Sequence, residues 1–83
     1  MTIEKTLKQR QKTHGDFATH AKISQDLENV MREHGLYELD ADQIEALEMV
    51  AHKIARILNG NPNYFDSWHD VAGYSTLVAD RLK

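Results

Sequence analysis

The residues with the clearest chemical potential are acidic side chains that recur at helical spacing in the second half of the chain. Glu45 and Glu48 are three residues apart and His52 follows four residues later, so one stripe of a helix carries all three. Asp66 and Asp70 are four residues apart on the next predicted helix. If the two helices pack antiparallel, the carboxylates face each other and repel unless a cation neutralises them. Oxygen ligands of this kind predict a site for Mg²⁺ or Mn²⁺.

Cationic and aromatic side chains lie close to these acids in the sequence. Lys53 and Arg56 follow the acids on the third predicted helix, and Trp68 and Tyr74 lie on the fourth.

A purely structural interpretation accounts for the same residues one at a time. The acids of the third helix would face solvent, with Glu48 paired to His52 as ordinary surface electrostatics. Asp66 would only cap a helix, and Lys53 and Arg56 would only complement a helix dipole. For single residues this interpretation is the simpler one, and the joint spacing on consecutive helices supports the two interpretations about equally.

The acidic pattern resembles the signature of a known enzyme superfamily. Glu45-Ala-Leu-Glu48, followed by 17 residues and then Asp66-Ser-Trp-His-Asp70, is similar to the ExxE…ExxD signature of the MazG-type and dUTPase-type all-α nucleoside triphosphate pyrophosphatases. The resemblance implies that the acids bind Mg²⁺, which holds a triphosphate while water attacks between its α and β phosphates. It also implies a metal-dependent nucleotide site in which Lys53 and Arg56 neutralise phosphate charge and Trp68 or Tyr74 stacks on the base. The motif is short, so it implies a divergent relative.

Most of the acids match this signature position by position. Glu45 and Glu48 match the first acidic pair, and Asp70 matches the last acid. Ser67 stands where the signature has an acid, and Asp66 lies one residue earlier, about 100° away around a helix. The resemblance therefore gives Asp66 an outer role in the metal site and leaves open a degenerate form without turnover.

Longer stretches resemble a group of short, mostly phage and prophage proteins without an assigned function. They comprise residues 14–17, 45–60 and 66–74. Two functions are therefore predicted. The first is a metal-dependent protein that binds or hydrolyses nucleoside triphosphates. The alternative is a non-catalytic accessory protein that binds a host protein or a nucleotide signal.

Composition excludes several other functions. The chain has 83 residues, ten Lys and Arg against thirteen Asp and Glu, and a net charge of −3, which does not favour nucleic acid as a partner. The basic cluster near the N-terminus is interpreted as one face of a solvated helix; it comprises Lys5, Lys8, Arg10 and Lys12. Cysteine is absent and no apolar run is long enough for a membrane span, so a cytoplasmic protein is expected.

The histidines do not predict a catalytic site of their own. They lie on separate segments without the HExxH spacing of a zinc site, at positions 14, 20, 34, 52 and 69. No serine stands on the glycine-flanked turn that a hydrolase nucleophile requires.

Hydrophobic periodicity and helix-ending residues predict one all-α domain over residues 1–83, a compact bundle of about four helices. The predicted helices cover residues 3–12, 17–34, 41–59 and about 66–82, and the third is the most apolar and should be central. Gly73, within the fourth, indicates a close approach of two helices. The apolar faces exceed what so small a chain can cover, so a homo-oligomer is expected.

Overall fold

The computed structural model describes residues 2–83, which form four helices and one short 3₁₀ turn. The helices are α1 (Ile3–His14), α2 (Phe17–Glu33), α3 (Ala41–Asn59) and α4 (Phe65–Arg81), and the 3₁₀ turn covers Leu36–Glu38. Residues 2–83 contain no strand. The predicted all-α bundle of four helices is therefore confirmed.

Polar side chains begin the helices largely as the sequence predicts. Thr2 Oγ1 accepts a hydrogen bond from Lys5 N at 3.3 Å and starts α1. Asp16 Oδ1 accepts one from Thr19 N at 2.9 Å and starts α2. Each cap satisfies a backbone N–H that has no partner within its own helix. Gly15 ends α1 and Asp16 begins α2, so adjacent residues define the boundary between the two helices.

The start of α4 differs from the prediction. The residue at its N-cap position is Tyr64, which makes no side-chain capping hydrogen bond, and the helix begins at Phe65. The interpretation in which Asp66 caps this helix was wrong. The chain already turns at Asn61, whose side-chain oxygen accepts a hydrogen bond from Asn63 N at 2.9 Å, so the helix starts before Asp66.

Helix α3 is central, as predicted, because both α2 and α4 pack against it. The most buried residues of these helices are small, namely Ser24 of α2, Ala51 and Ala55 of α3, and Ser67 of α4. Small side chains allow helix axes to come close together, since the distance between axes depends on the side chains at the contact. The fold is therefore held by close packing of small residues around α3.

Helix α1 crosses the C-terminal end of α3 at a contact between two glycines. A Cβ added to Gly60 would lie 2.3 Å from the carbonyl oxygen of Thr13, and one added to Gly15 would lie 2.3 Å from that of Asn59. Asn59 Nδ2 donates a hydrogen bond to the carbonyl oxygen of Asp16 at 2.8 Å. This crossing fixes the junction between α1 and α2 against the end of α3.

Large apolar side chains on more than one side of α4 are exposed. Leu77 is 71% exposed and Trp68 is 56% exposed. A Cβ at Gly73 would meet nothing within 4 Å, so the predicted close helix approach at this glycine was wrong. None of the helices in residues 2–83 has the length and apolar character needed to cross a membrane.

Candidate functional site

The structure brings one predicted phosphate-binding residue together with one predicted metal ligand. Lys53 of α3 is only 7% exposed, and its Nζ lies 2.9 Å from Oδ2 of Asp70 on α4. The Lys53 ammonium lowers the pKa of Asp70, so this carboxylate is charged at neutral pH. A buried ammonium requires such a partner, since an unpaired charge in a protein interior is costly. Helices α3 and α4 thus meet at an ion pair.

Asp66 lies one turn before Asp70, at the exposed start of α4. A hydrogen bond to the Asp66 carboxylate raises the pKa of Tyr64. The Tyr64 ring in turn makes an edge contact with the ring of His14, with 5.9 Å between centroids. Asp66 therefore interacts with the turn before α4, and its role in a metal site stays a prediction.

The two aromatic residues proposed to stack on a base have different surroundings. Trp68 Nε1 donates a hydrogen bond to the carbonyl oxygen of Pro62 at 2.7 Å, which ties α4 to the preceding turn. Tyr74 is half-buried and lines an open depression of about 320 Å³ together with Asp70, Gly73 and Leu77. Tyr74 is thus the one that lies beside a predicted metal ligand.

Within the acidic stripe of α3, His52 is the residue that contacts α2. Glu45 is exposed and Glu48 is half-buried. The ion partner of His52 is Glu28 of α2, with 3.7 Å between Nε2 and Oε1, so the suggested pairing of His52 with Glu48 was wrong.

The predicted metal ligands do not form a complete cation site within one chain. Residues 2–83 contain no group of three or more His, Asp and Glu side chains arranged to hold a metal ion. A self-contained cage therefore does not fit Glu45, Glu48, Asp66 and Asp70. A Mg²⁺ ion bound to a triphosphate needs only one or two carboxylates, because phosphate oxygens and water supply its other ligands.

A polar contact between α2 and α3 was not predicted from the sequence. His20 Nε2 lies 3.3 Å from His52 Nδ1, so one ring donates a hydrogen bond to the other, and the rings stack 5.5 Å apart. Burial lowers the pKa of His20, and the charges of His52 and Arg56 lower it further. His20, Ser24 and Glu28 recur every four residues, which was the available signal for a polar stripe on α2.

A second feature that the sequence analysis missed is an open pocket of about 370 Å³ where α1, α2 and the end of α3 meet. We call it the corner pocket. Its chemically important lining residues are Arg10 and His14 of α1, Asp16 and Phe17 at the start of α2, His20 of α2 and Arg56 of α3. Arg10 had been interpreted as part of a solvated basic face. Arg10 is exposed, as that interpretation requires, and it also lines this pocket together with Arg56 from a distant part of the sequence.

Arg56 connects the corner pocket to the Lys53–Asp70 pair. The positive charge of Arg56 helps to lower the pKa of His14 in the corner pocket and also the pKa of Asp70 in the ion pair. Within residues 2–83, neither Arg10 nor Arg56 has a carboxylate oxygen within 4.0 Å. Arg10 and Arg56 thus line the pocket without an ion-pair partner in residues 2–83, and the charges of both lower the pKa of His14 in the same lining.

Comparison with known proteins identifies a family. Residues 2–82 match the family described as a domain of unknown function, DUF6378, and the chain therefore belongs to this family. No curated protein and no solved structure matches the chain.

Proposed function

Starting from membership of a family of unknown function, we propose that this protein is a nucleotide-binding helical domain. It resembles the MazG-type all-α pyrophosphatases in its acidic motif and takes a nucleoside triphosphate together with Mg²⁺ or Mn²⁺. Lys53 and Arg56 meet the phosphates, and Glu45, Glu48 and Asp70 are the carboxylates available to the metal. Asp66 contributes from a greater distance.

The observation that carries this proposal is the ion pair between the buried Lys53 and the partly exposed Asp70, at 2.9 Å. Residues predicted for the phosphate and for the metal are adjacent in the fold although 17 positions separate them in the sequence. Without a ligand, the charges of Lys53 and Asp70 neutralise each other. A magnesium–phosphate group offers both partners a replacement, because the ammonium can donate to a phosphate oxygen while the carboxylate meets the cation.

The proposed metal arrives with its nucleotide. The acids of one chain do not form a three-ligand site in residues 2–83, so free Mg²⁺ should bind weakly. A metal–triphosphate complex already carries phosphate and water ligands and needs few carboxylates from the protein. Ser67 stands where the pyrophosphatase signature has an acid, and this difference bears mainly on hydrolysis. The degenerate form of the proposed function is a protein that binds the triphosphate without hydrolysing it.

A non-catalytic accessory protein is the second candidate, favoured by exposed apolar side chains. Phe65, Leu58 and Leu77 are 70%, 69% and 71% exposed, respectively, which is unusual for residues of this size. Such surfaces mark protein interaction sites in other proteins. A second copy of the chain, as a homo-oligomer, or a host protein would cover them.

The test of nucleotide binding compares Asp70→Asn with Asp80→Asn, which removes a carboxylate from the exposed end of the same helix. Thermal melts are recorded with each nucleoside triphosphate, with and without Mg²⁺, and pyrophosphate release is assayed in parallel. The proposal predicts that triphosphate with Mg²⁺ raises the Tm of the wild type and of Asp80→Asn by mass action, and raises that of Asp70→Asn much less.

Two results separate the candidates. If triphosphates with Mg²⁺ leave the wild-type Tm unchanged at millimolar concentration, the nucleotide proposal is wrong. If a host protein then binds the wild type and Asp70→Asn equally well but does not bind Leu77→Glu, the accessory function is the better account.

A further inference from the structure

We propose that the corner pocket binds a nucleoside 5′-phosphate, with its phosphate group between Arg10 and Arg56 and its base against Phe17. This inference deepens the proposed function, on which it rests for the choice of a nucleotide, and it assigns the ligand to residues that the acidic motif does not include. It also places the base on Phe17 instead of Trp68 or Tyr74.

The charge of the corner pocket suits a phosphate monoester. Arg10 and Arg56 line it, and in residues 2–83 neither is in an ion pair with a carboxylate. Asp16, the acidic residue of the lining, is ionised, because the backbone N–H of Thr19 lowers the pKa of its carboxyl group, so one negative charge opposes the two arginines and positive charge remains in excess. Two unpaired guanidinium groups in one cavity favour a dianion with several acceptor oxygens, since each guanidinium donates in a planar fork.

His14 adds a donor or acceptor inside the same cavity. Its Nδ1 atom is buried and has no hydrogen-bond partner among the described residues. A buried polar atom without a partner is uncommon in folded proteins and costs free energy unless a ligand or water satisfies it. Nδ1 has almost no solvent-accessible surface, so a ligand in the pocket reaches this atom only if the His14 ring turns towards the cavity.

Phe17 explains why the ligand should carry a planar ring. This residue is 82% exposed although it is aromatic, and it stands at the first position of α2 in the pocket lining. One face of its ring stacks on His20 at 6.0 Å, and His20 stacks on His52 at 5.5 Å. An exposed ring held in place by a stack of rings offers its other face to a base, and base stacking on aromatic side chains is a general means of nucleotide binding.

The fold holds these groups in position before a ligand arrives. The crossing of Gly15 and Gly60 fixes the end of α1 on the end of α3, and Asn59 ties that end to the start of α2 through the 2.8 Å hydrogen bond to Asp16. Arg10, Phe17 and Arg56 therefore project from three helices that are joined at one point. A volume of about 370 Å³ is within the range of small-ligand sites and suits one nucleotide.

The histidines provide a readout specific to this site. Burial and the charge of Arg56 lower the pKa of His14, in that order. A bound phosphate would neutralise the arginines and favour the protonated ring, so the midpoint of the His14 titration should move to higher pH. Proton NMR signals of the His14 ring measure this midpoint directly. Because the signals belong to the ring, the titration of His14 is distinguished from that of the phosphate.

The experiment titrates the protein with AMP, GMP, CMP and UMP in the presence of EDTA, using NMR shifts and calorimetry. We expect binding of at least one of them, with Arg10→Ala and Phe17→Ala each weakening it about tenfold or more. Binding of ribose 5-phosphate should be weakened by Arg10→Ala but not by Phe17→Ala, because this ligand has the phosphate but lacks the base. Lys8→Ala, which removes an exposed charge of α1 outside the pocket, serves as the matched control and should bind like the wild type.

Three results would overturn the inference. They are the absence of binding by all four monophosphates at millimolar concentration, equal affinity of Arg10→Ala and Lys8→Ala, and tighter binding of a ten-residue oligonucleotide than of any monophosphate. The last would indicate a nucleic-acid surface. Because EDTA removes metal and a monophosphate has no phosphoanhydride bond, these results are independent of the Asp70→Asn comparison, so either proposal can fail alone.

Discussion

At the scale of single residues, the arrangement that most constrains this protein is the burial of a lysine. Lys53 lies on the central helix at 7% exposure, where an ammonium is tolerated only with a close partner. Asp70 is that partner, and its carboxylate remains partly exposed to solvent. The two partners therefore differ in how much their loss costs. Removing the Asp70 carboxylate leaves the buried ammonium of Lys53 without a partner, whereas removing Lys53 leaves a carboxylate that water can still solvate.

This asymmetry gives the first prediction. Asp70→Asn should lower the Tm more than Asp80→Asn, because Asp80 is exposed and contacts only Lys83 near the chain end, at 3.3 Å. Since the pKa of Asp70 is lowered by folding, its contribution is present above the unfolded value of about 4 and is lost as the pH falls through the folded value. Melting curves of both variants at pH 7 and pH 3 measure this. Equal Tm values for the two variants at pH 7 would contradict it.

The second prediction concerns the histidines that face the junction of α1, α2 and α3. Burial lowers the pKa of both His14 and His20, and the surrounding groups include Glu28, His52 and Arg56. The unfolded chain therefore binds protons more readily than the folded one below pH ~6.5, the ordinary value for histidine. Stability should be complete above that pH and should decline as the pH falls towards the folded pKa values.

Melting temperatures between pH 8 and pH 5 measure this decline, in a range above the titration of the carboxylates. The variant His20→Gln retains a polar side chain of similar size and cannot be protonated, so its melting temperature should depend less on pH. A wild-type Tm that is constant from pH 8 to pH 5 would show that the histidines have the same proton affinity in both states.

The sequence predicts which residues are unusual better than it predicts their partners. Lys53, Asp70 and Arg56 were all singled out from their spacing, and the structure places them in one region. The partner of His52 was wrongly assigned to its own helix, because spacing of three and four residues reports neighbours within a helix only. Glu28 belongs to another helix, and no local pattern identifies a contact across 24 positions of sequence.

At the scale of helices, the crossing of α1 and α3 depends on two glycines for different reasons. Gly15 has φ of +78°, a conformation that side chains with Cβ rarely adopt, and Gly60 faces the backbone of α1. Both lie at predicted helix ends. Their contact with each other's helices could not be predicted, because it depends on how helices distant in sequence are placed.

The third prediction follows from this contact. Gly60→Ala should destabilise the fold by about 1–3 kcal/mol, the usual cost of forcing an extra methyl group into a closed contact. The reason is that the new Cβ would lie 2.3 Å from the carbonyl oxygen of Thr13, so α1 must move away from α3. Gly73→Ala is the matched control, since a Cβ there meets nothing within 4 Å and alanine favours the helix.

Urea unfolding of the two variants measures the free energies of unfolding. Gly73→Ala should be neutral or stabilising by up to about 1 kcal/mol, because glycine inside a helix costs roughly that much relative to alanine. If Gly60→Ala is as stable as Gly73→Ala, the crossing is looser than the glycine contact requires. The corner pocket would then lose the rigid junction on which its geometry depends.

The predicted helix boundaries were accurate where a polar cap or a glycine marks them. Helix α3 covers the predicted residues, Ala41–Asn59, between Asp40 and Gly60. Helix α1 extends two residues beyond its predicted end at Lys12, up to Gly15. Gly73 was misread because a glycine within a helix has two explanations, a close contact or a tolerated weak point, and the sequence does not distinguish them.

At the scale of the whole molecule, one chain is more extended than its size requires. Its accessible surface is 6051 Å², against about 5,000 Å² expected from the mass, and its radius of gyration is 14.2 Å, against about 12 Å for 83 residues. The excess includes apolar side chains of α3 and α4, among them Leu58, Phe65 and Leu77. A surplus of this kind is what an interface between copies of a small helical chain would cover.

The fourth prediction is that the protein is a dimer or larger assembly in solution, with these apolar side chains in the interface. Burying roughly 800 Å² on each chain is typical of a stable complex, and the surplus surface is of that order. Light scattering after size exclusion should give at least twice the single-chain mass of 9.5 kDa at micromolar concentration. Leu77→Glu should shift the mass towards that of one chain and lower the Tm, because a buried interface does not tolerate an unpaired carboxylate.

Thr76→Glu supplies the control, since it introduces the same charge at a neighbouring exposed position of α4. Thr76 lies about 100° from Leu77 around the helix, so its substitution should leave the assembly intact. A wild-type mass of 9.5 kDa would contradict the prediction, and so would equal dissociation by the two variants.

Assembly also bears on the proposed metal site, because an interface along α3 and α4 could bring the acids of two chains together and complete a ligand set that one chain lacks. In that case Leu77→Glu should reduce the effect of Mg²⁺ on triphosphate binding as well as the mass, whereas binding of a monophosphate in the corner pocket should be unchanged.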